Sequence, residues 1–188
     1  MVRYLIVASA TKLFSRRGYA STGIDEIGEA AGITGPGVYR HFSNKSEVLS
    51  EVARRAVHRL LTGVAQAVDE GADHWVVLER LVRNMIRSVL DDQEGWVVTT
   101  REHRHLTPET IERIAGAYRH HMRLWARSLS AARPELNSTE VRVMVRCVSA
   151  LTAPVSGTSH LPRERVEELL ASAAMAVLRG TVPVRAVA

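Results

Sequence analysis

The sequence predicts an all-α protein of about nine helices, and three observations predict it. Apolar residues recur at three- and four-residue spacing along nearly the whole chain, while alternating strand patterns are scarce. Cap and stop signals bracket most of these periodic runs. Of the 188 residues 46% are apolar and 24% charged, with 12 glycines and 6 prolines, an ordinary globular balance that excludes disorder and collagen-like repeats.

Ile6, Ala10, Leu13 and Phe14 form one helical face that ends at Gly18. Ile24 and Ile27 open a short segment stopped by Gly32, and Val38, Tyr39 and Phe42 lie in another. A long helix is expected from about Ser46 to about Val68, with Glu47 in its first turn favouring the helix dipole. Asp73 can cap the next, which carries Leu78, Leu81, Val82, Met85, Val89 and Leu90. Asp91 to Leu106 is less regular and holds a short helix. Thr107 followed by Pro108 and Glu109 starts a helix that runs to Ala132, before the stop at Arg133-Pro134. Asn137 with Glu140 makes a capping box for a helix to about Val155. Pro162 opens the last, which ends at Gly180 and leaves a frayed tail, TVPVRAVA.

Composition shifts near residue 45: both phenylalanines, Phe14 and Phe42, and both lysines, Lys12 and Lys45, precede it. A domain of residues 1–45 and a larger helical domain of residues 46–188 are therefore expected, joined without a linker. Cys147 is the one cysteine, so no intrachain disulfide staples the fold. No apolar run approaches the ~20 residues that span a bilayer. The opening run MVRYLIVASATKLF is short and continues in helical period, so a signal peptide is not expected and a cytoplasmic protein is.

The net charge of +5 is unevenly placed: +4 falls in residues 1–60 and +1 in the remainder. Such a bias suits a polyanion partner and equally suits a solvated face. Residues 24–42, IDEIGEAAGITGPGVYRHF, read as two short helices around a tight turn at Gly32-Ile33. That is helix-turn-helix spacing, in which the second helix enters the major groove; a plain helical hairpin shares it. Ala30 and Ala31 are small enough for a close crossing, Thr34 can cap the second helix, and Pro36 is tolerated in its first turn. About two turns long, this helix needs packing, which Val38 and Phe42 against Phe14 and Ile27 can supply. Thr34, Gly35, Pro36, Gly37, Tyr39, Arg40 and His41 then face outward. Tyr39 and His41 can donate to phosphates, Lys45 adds charge, and Arg40 can reach a guanine edge or a phosphate.

The run GYASTGIDEIGEAAGITGPGVYRHFSNKSEVL, residues 18–49, resembles the DNA-binding region of the TetR (tetracycline-repressor-like) family. ATKLFSRRGY, residues 10–19, resembles that family's first helix. The features that carry the resemblance are Phe14 four residues before Gly18, Thr22 ahead of the second helix, Ala30-Ala31-Gly32 at the turn, and Tyr39-Arg40-His41-Phe42 followed by Lys45. The resemblance implies that Thr22, Tyr39, His41 and Lys45 contact the sugar-phosphate backbone, with Thr34 to Gly37 and Arg40 nearest the bases. Gly35 and Gly37 stand where many relatives carry a base-reading side chain, which leaves Thr34, Pro36, Tyr39 and Arg40 for that task.

The same resemblance implies a homodimer through two long helices, here about residues 138–155 and 162–180. Both are rich in small residues such as Ala150, Ala153, Ala171, Ala173, Ala174 and Ala176, which permit close packing. It further implies a small-molecule effector held among the middle helices. Trp75, Met85, Trp96, Tyr118, Met122, Trp125 and Met144 are the candidate lining, pointing to a largely apolar ligand, although such a stripe equally serves a core. In the cluster Arg101-Glu102-His103-Arg104-His105, Arg101 can hold an anionic head group, or the segment is a solvated connector.

The eight histidines do not make a metal site, since no two stand three or four apart and Cys147 has no sulfur partner; no metal or cofactor is expected. An enzyme is not expected either. Gly18 to Gly23 has phosphate-loop spacing without the Lys-Ser or Lys-Thr that must follow, and no nucleophile elbow occurs. A ligand-responsive DNA-binding regulator is expected, the alternative being one controlled by a partner protein.

Overall fold

The computed structural model describes residues 1–67, 71–151 and 161–180. Among these lie nine α-helices, one 3-10 turn and no strand. The helices are α1 (Val2–Arg17), α2 (Ile24–Ala30), α3 (Gly35–Val38), α4 (Lys45–Ala67), α5 (His74–Leu90), α6 (Gln93–Arg101), α7 (Pro108–Ala132), α8 (Ser138–Leu151) and α9 (Arg163–Arg179); the 3-10 turn (His103–His105) follows α6. The all-α prediction is met. The expected ends of two helices, Val68 and residues 152–155, and the tail from Thr181 lie outside the described residues.

The predicted caps form. Trp75 donates its backbone N–H to Asp73 Oδ1 at 2.8 Å, and Thr110 donates to Thr107 Oγ1 at 3.3 Å. At α8 the box is reciprocal: Glu140 N–H donates to Asn137 Oδ1 (3.0 Å) and Asn137 N–H donates to Glu140 Oε2 (2.7 Å). Each satisfies a first-turn donor that the helix itself cannot.

The chain forms two compact units. The first comprises Met1–Gly63 and Ser88–His120; the second comprises Val64–Arg87 and the chain from His121 onward. The first unit therefore takes in more than residues 1–45. Its core joins Ile6, Phe14, Ile27, Val38 and Phe42, as the spacing predicts, with Val48, Leu49, Val98 and Leu106. Phe14 is 0% and Phe42 2% exposed. Truncating either to alanine is expected to cost about 3–5 kcal/mol, which would unfold the short α2–α3 pair that depends on them.

In the second unit α5, α7, α8 and α9 bury Leu78, Leu81, Trp125, Leu129, Val145, Val148, Ala174 and Leu178. Arg133, itself buried, donates Nη1 to the carbonyls of Leu178 (3.0 Å) and Gly180 (2.8 Å) and so closes the end of α9. α8 and α9 pack against each other. Each also turns a stripe of small and apolar residues outward: Val143, Cys147, Ala150 and Leu151 on α8, and Leu169, Ala173 and Ala176 on α9. These stripes recur at four and three residues, the period of one helix face.

Candidate nucleic-acid interface

The loop into α2 is built around the end of α1. Gly18 takes φ 84°, and its N–H donates to Phe14 O at 2.9 Å. Thr22 Oγ1 donates to Gly18 O at 2.8 Å, and Lys45 Nζ donates to the carbonyls of Tyr19 and Thr22, both at 2.8 Å. The Lys45 ammonium also lies 4.5 Å from the centroid of the Tyr19 ring. Loop carbonyls that no helix satisfies thus find cationic or hydroxyl donors.

At the start of α2, Glu26 Oε2 accepts the Gly23 N–H at 2.8 Å and Oε1 accepts Arg17 Nη1 at 2.7 Å. The Gly23 bond, and then the Arg17 charge, hold the Glu26 carboxyl below the usual glutamate range. A depressed folded-state pKa means stability that is complete above the ordinary value of about 4.3 and fades as pH falls through the lower folded value. Glu26→Gln is therefore expected to lower the thermal midpoint near neutral pH, with the gap from wild type closing on acidification. A gap that stays constant would show that the charge of Glu26 is not what holds the cap.

The turn after α2 is a Schellman motif. Gly32 takes φ 73°, its N–H donates to Glu29 O and the Ile33 N–H donates to Gly28 O, each at 3.0 Å. The closest approach of α2 to α3 is made at Gly28, and Ala30 takes no part in it. Ala30 is exposed, off the face that carries Ile27, Gly28 and Ala31. Gly28 makes the approach: a Cβ there would lie 2.9 Å from both Gly35 N and Thr34 C. A glycine inside a seven-residue helix costs about 1 kcal/mol relative to alanine, and that cost is the sequence signal of a close approach.

α3 is shorter than expected, four residues rather than about two turns. Thr34 Oγ1 accepts the Gly37 N–H at 3.2 Å as predicted, and Pro36 occupies the first turn. Turn bonds from His41 N–H (2.9 Å) and Phe42 N–H (3.1 Å) to Val38 O carry the chain on to the buried Phe42. Glycines at 35 and 37 explain the shortness, because neither favours further helix.

Most residues assigned to the outer edge are there. Thr34, Pro36, Tyr39 and Arg40 are exposed, Tyr39 at 56%, and Gly37, His41 and Lys45 are half-buried. Two are not. Gly35 is buried against α2, where a Cβ would collide with Oδ1 of Asp25, so it serves packing rather than the surface. Thr22 is 1% exposed with its hydroxyl spent on Gly18 O. Lys45 has two of its three N–H donors committed to the loop, which leaves one to offer a phosphate.

Of the eight candidate effector-pocket residues, Trp96, Arg101 and Tyr118 belong to the first unit and the other five to the second. In the first unit, Trp96 donates its indole N–H to Ser88 O at 3.0 Å, and Tyr118 is 43% exposed. Arg101 is exposed, and its guanidinium is engaged within the unit: Nη2 donates to Phe14 O and, at 3.1 Å, to Ser15 O, and Nε donates to Glu102 at 3.0 Å. It caps the end of α1. Beside it the His105 ring stacks on Tyr19 at 4.6 Å, and Ser46 Oγ donates to His105 O at 2.9 Å. The segment reads as a connector in sequence because these partners are 59 to 87 residues away.

In the second unit, Trp125 is 1% exposed and donates Nε1–H to His121 Nε2 at 2.9 Å. Met85 and Met144 are buried, Met122 is half-buried, and the half-buried Trp75 lies under the guanidinium of Arg179. An open cleft of about 440 Å³ between α5 and α9, flanked by Arg83 and Arg179 over Ala171 and Met175, is lined by none of the eight. Among the described residues no His, Cys, Asp or Glu group is placed to hold a metal, and no helix is long and apolar enough to cross a membrane.

This arrangement matches known proteins at both ends of the chain. The family model described as bacterial regulatory proteins, tetR family, matches residues 6–52, and the tetracyclin repressor-like C-terminal domain matches residues 71–157. The chain belongs to the TetR family. Among TetR relatives it is 34% identical over 91 residues to the HTH-type transcriptional activator FasR of Mycolicibacterium smegmatis, covering 48% of this chain and 42% of that protein. It is 29% identical over 97 residues to the HTH-type transcriptional repressor KstR2 of Rhodococcus jostii, covering 52% and 48%. The chain thus matches about half the length of these curated relatives.

The fold extends further than the sequence match. A TetR-family regulatory protein from Rhodococcus RHA1 superposes with a TM-score of 0.83 at 18% identity, over 95% of this chain and 97% of that one. The structure of AibR in complex with isovaleryl coenzyme A and operator DNA gives 0.77 at 20% identity, over 92% and 97%. The FasR and KstR2 relatives are named as transcriptional regulators, not enzymes.

Proposed function

We propose that this TetR-family chain is a cytoplasmic, ligand-responsive transcriptional repressor that binds a palindromic operator as a homodimer and is released by a small, largely apolar effector. Residues 1–45 form the DNA-binding domain and residues 46–188 the effector-binding and dimerisation domain. The observation that carries the reading is the exposed edge Thr34, Pro36, Tyr39 and Arg40, on and immediately around α3, which the glycine contact holds against α2. Arg40 is exposed and its side chain makes no hydrogen bond or ion pair with a described residue, so its guanidinium is available to a guanine edge. Tyr39, His41 and the remaining donor of Lys45 supply phosphate contacts. The outward stripes of α8 and α9 supply a self-complementary face for a second copy.

Repression follows from occupancy of the operator, and release from an effector that binds better to a conformation with wrongly spaced recognition elements. The grip of Arg101 on the end of α1 gives α6 a direct hold on the DNA-binding domain. That KstR2 is named a repressor, and that AibR was solved with an acyl thioester and operator DNA, supports both halves of the reading.

Titration of the chain against DNA upstream of its own coding region at low and moderate salt tests it. Six or more phosphate contacts over two half-sites predict an affinity loss of about 10³ between roughly 50 and 200 mM salt. A complex that is insensitive to salt, or that forms equally with any sequence, would contradict it. Arg40→Ala is expected to weaken the specific complex by about 1–3 kcal/mol and random-DNA binding much less. Equal losses on both duplexes would reduce Arg40 to a phosphate contact.

A further inference from the structure

We propose that Arg3, in the first turn of α1, is a positioning residue for base recognition: it fixes the turn that leaves α3 and thereby the direction of Arg40. The inference rests on the DNA-binding reading above. Three contacts meet in its guanidinium. Nη1 donates to the carbonyl of His41 at 3.0 Å, Nη2 lies 3.5 Å from Glu51 Oε2, and the planar group lies 4.3 Å from the centroid of the Phe42 ring. Arg3 therefore ties α1, the end of the α3 turn and α4 together at one point.

The need for such a tie follows from α3 itself. Four residues, two of them glycine, make too few internal hydrogen bonds to hold a direction. The near end is held by the Thr34 cap and the contact with Gly28. At the far end, after the Val38 carbonyl has taken the His41 and Phe42 N–H groups, the His41 carbonyl needs a donor of its own. Arg3 is that donor, and the His41–Phe42 peptide it holds lies one residue beyond Arg40. A bidentate base contact tolerates displacement of only about 0.5 Å, so slack at His41 is read directly as lost discrimination. Glu51, buried at 8% exposure, keeps Arg54 and Arg55 as partners when Arg3 is removed, so the carboxylate is not stranded.

The experiment compares wild type, Arg3→Ala and Arg3→Lys on a duplex that wild type enriches from a random pool and on a scrambled duplex of the same composition. Failure of wild type to enrich any sequence would defeat the DNA-binding reading itself and is seen before the variants are made. Arg3→Ala is expected to lose about tenfold on the enriched duplex and less than twofold on the scrambled one, with an unchanged salt slope. Arg3→Lys is expected to lose about threefold on the enriched duplex, because one ammonium cannot hold His41 O, Phe42 and Glu51 together. Amide exchange over residues 38–42 should quicken in Arg3→Ala without DNA, while that of α1 and α4 is unchanged.

Equal losses on both duplexes, with the salt slope reduced by about one and restored by Arg3→Lys, would make Arg3 a phosphate contact and overturn the proposal. Unchanged selectivity in Arg3→Ala would overturn it as well. Should Arg3→Ala melt below the assay temperature, Arg3→Lys decides: full wild-type selectivity in that variant rejects the positioning role.

Discussion

Replacing Val143 and Leu169 together by glutamate is expected to turn the chain into a folded monomer that has lost about 10²–10⁴ in affinity for a palindromic duplex. Both side chains are exposed, at 56% and 45%, so neither substitution removes anything from the protomer core. They lie on the stripes of α8 and α9 that the proposed two-fold interface would cover. In an isologous contact each substitution is met twice, and each buried carboxylate would face its own kind or an apolar neighbour. The affinity loss follows from tethering: once one half-site is bound, the second recognition element binds at the high effective concentration that the dimer provides. Sedimentation equilibrium reads the first half of the result and a DNA titration the second. A variant that remains dimeric and binds as wild type would show that another face joins the copies.

Gly28→Val is expected to abolish sequence-selective binding while most of the fold survives. A Cβ at Gly28 would meet Gly35 N and Thr34 C at 2.9 Å and Thr34 O at 3.0 Å, all of them backbone atoms that cannot rotate away. α3 must then move off α2, and with it every base-facing residue. The overpacking costs about 1–3 kcal/mol, visible as a lower thermal midpoint, and binding to the selected duplex should fall more than a hundredfold. Gly32→Ala is the contrast. Gly32 takes φ 73° with nothing within 4 Å of a Cβ, so the change costs about 1–2 kcal/mol of backbone strain and leaves the α2–α3 spacing intact. Selective binding lost equally in both variants would mean that stability, not spacing, governs recognition.

What the sequence made legible was local chemistry. Thr107-Pro108 and the Asn137–Glu140 box mark helix starts because capping involves residues within one turn, and Gly18 and Gly32 mark ends because both take positive φ. The core of the first unit was legible as well, since Phe14, Ile27, Val38 and Phe42 keep the helical period. What stayed hidden depends on partners far along the chain. Gly35 looks like a surface residue until α2 is laid against it, and Thr22 and Lys45 look free until the end of α1 presents carbonyls to them. Arg101 and Arg3 act across 87 and 38 residues respectively, beyond any motif. The aromatic stripe is ambiguous for a different reason: Trp125 is buried, and a core stripe and a cavity lining have the same composition and period.

The claim at the centre of this account is that two copies of the α2–α3 pair read an inverted repeat. Enrichment of random duplexes by the wild-type chain, followed by sequencing, measures that directly. The predicted result is a two-fold inverted repeat with half-sites centred about 34–36 Å apart, or a multiple of that distance. Enrichment of a single asymmetric site, or of no sequence at all, would contradict it.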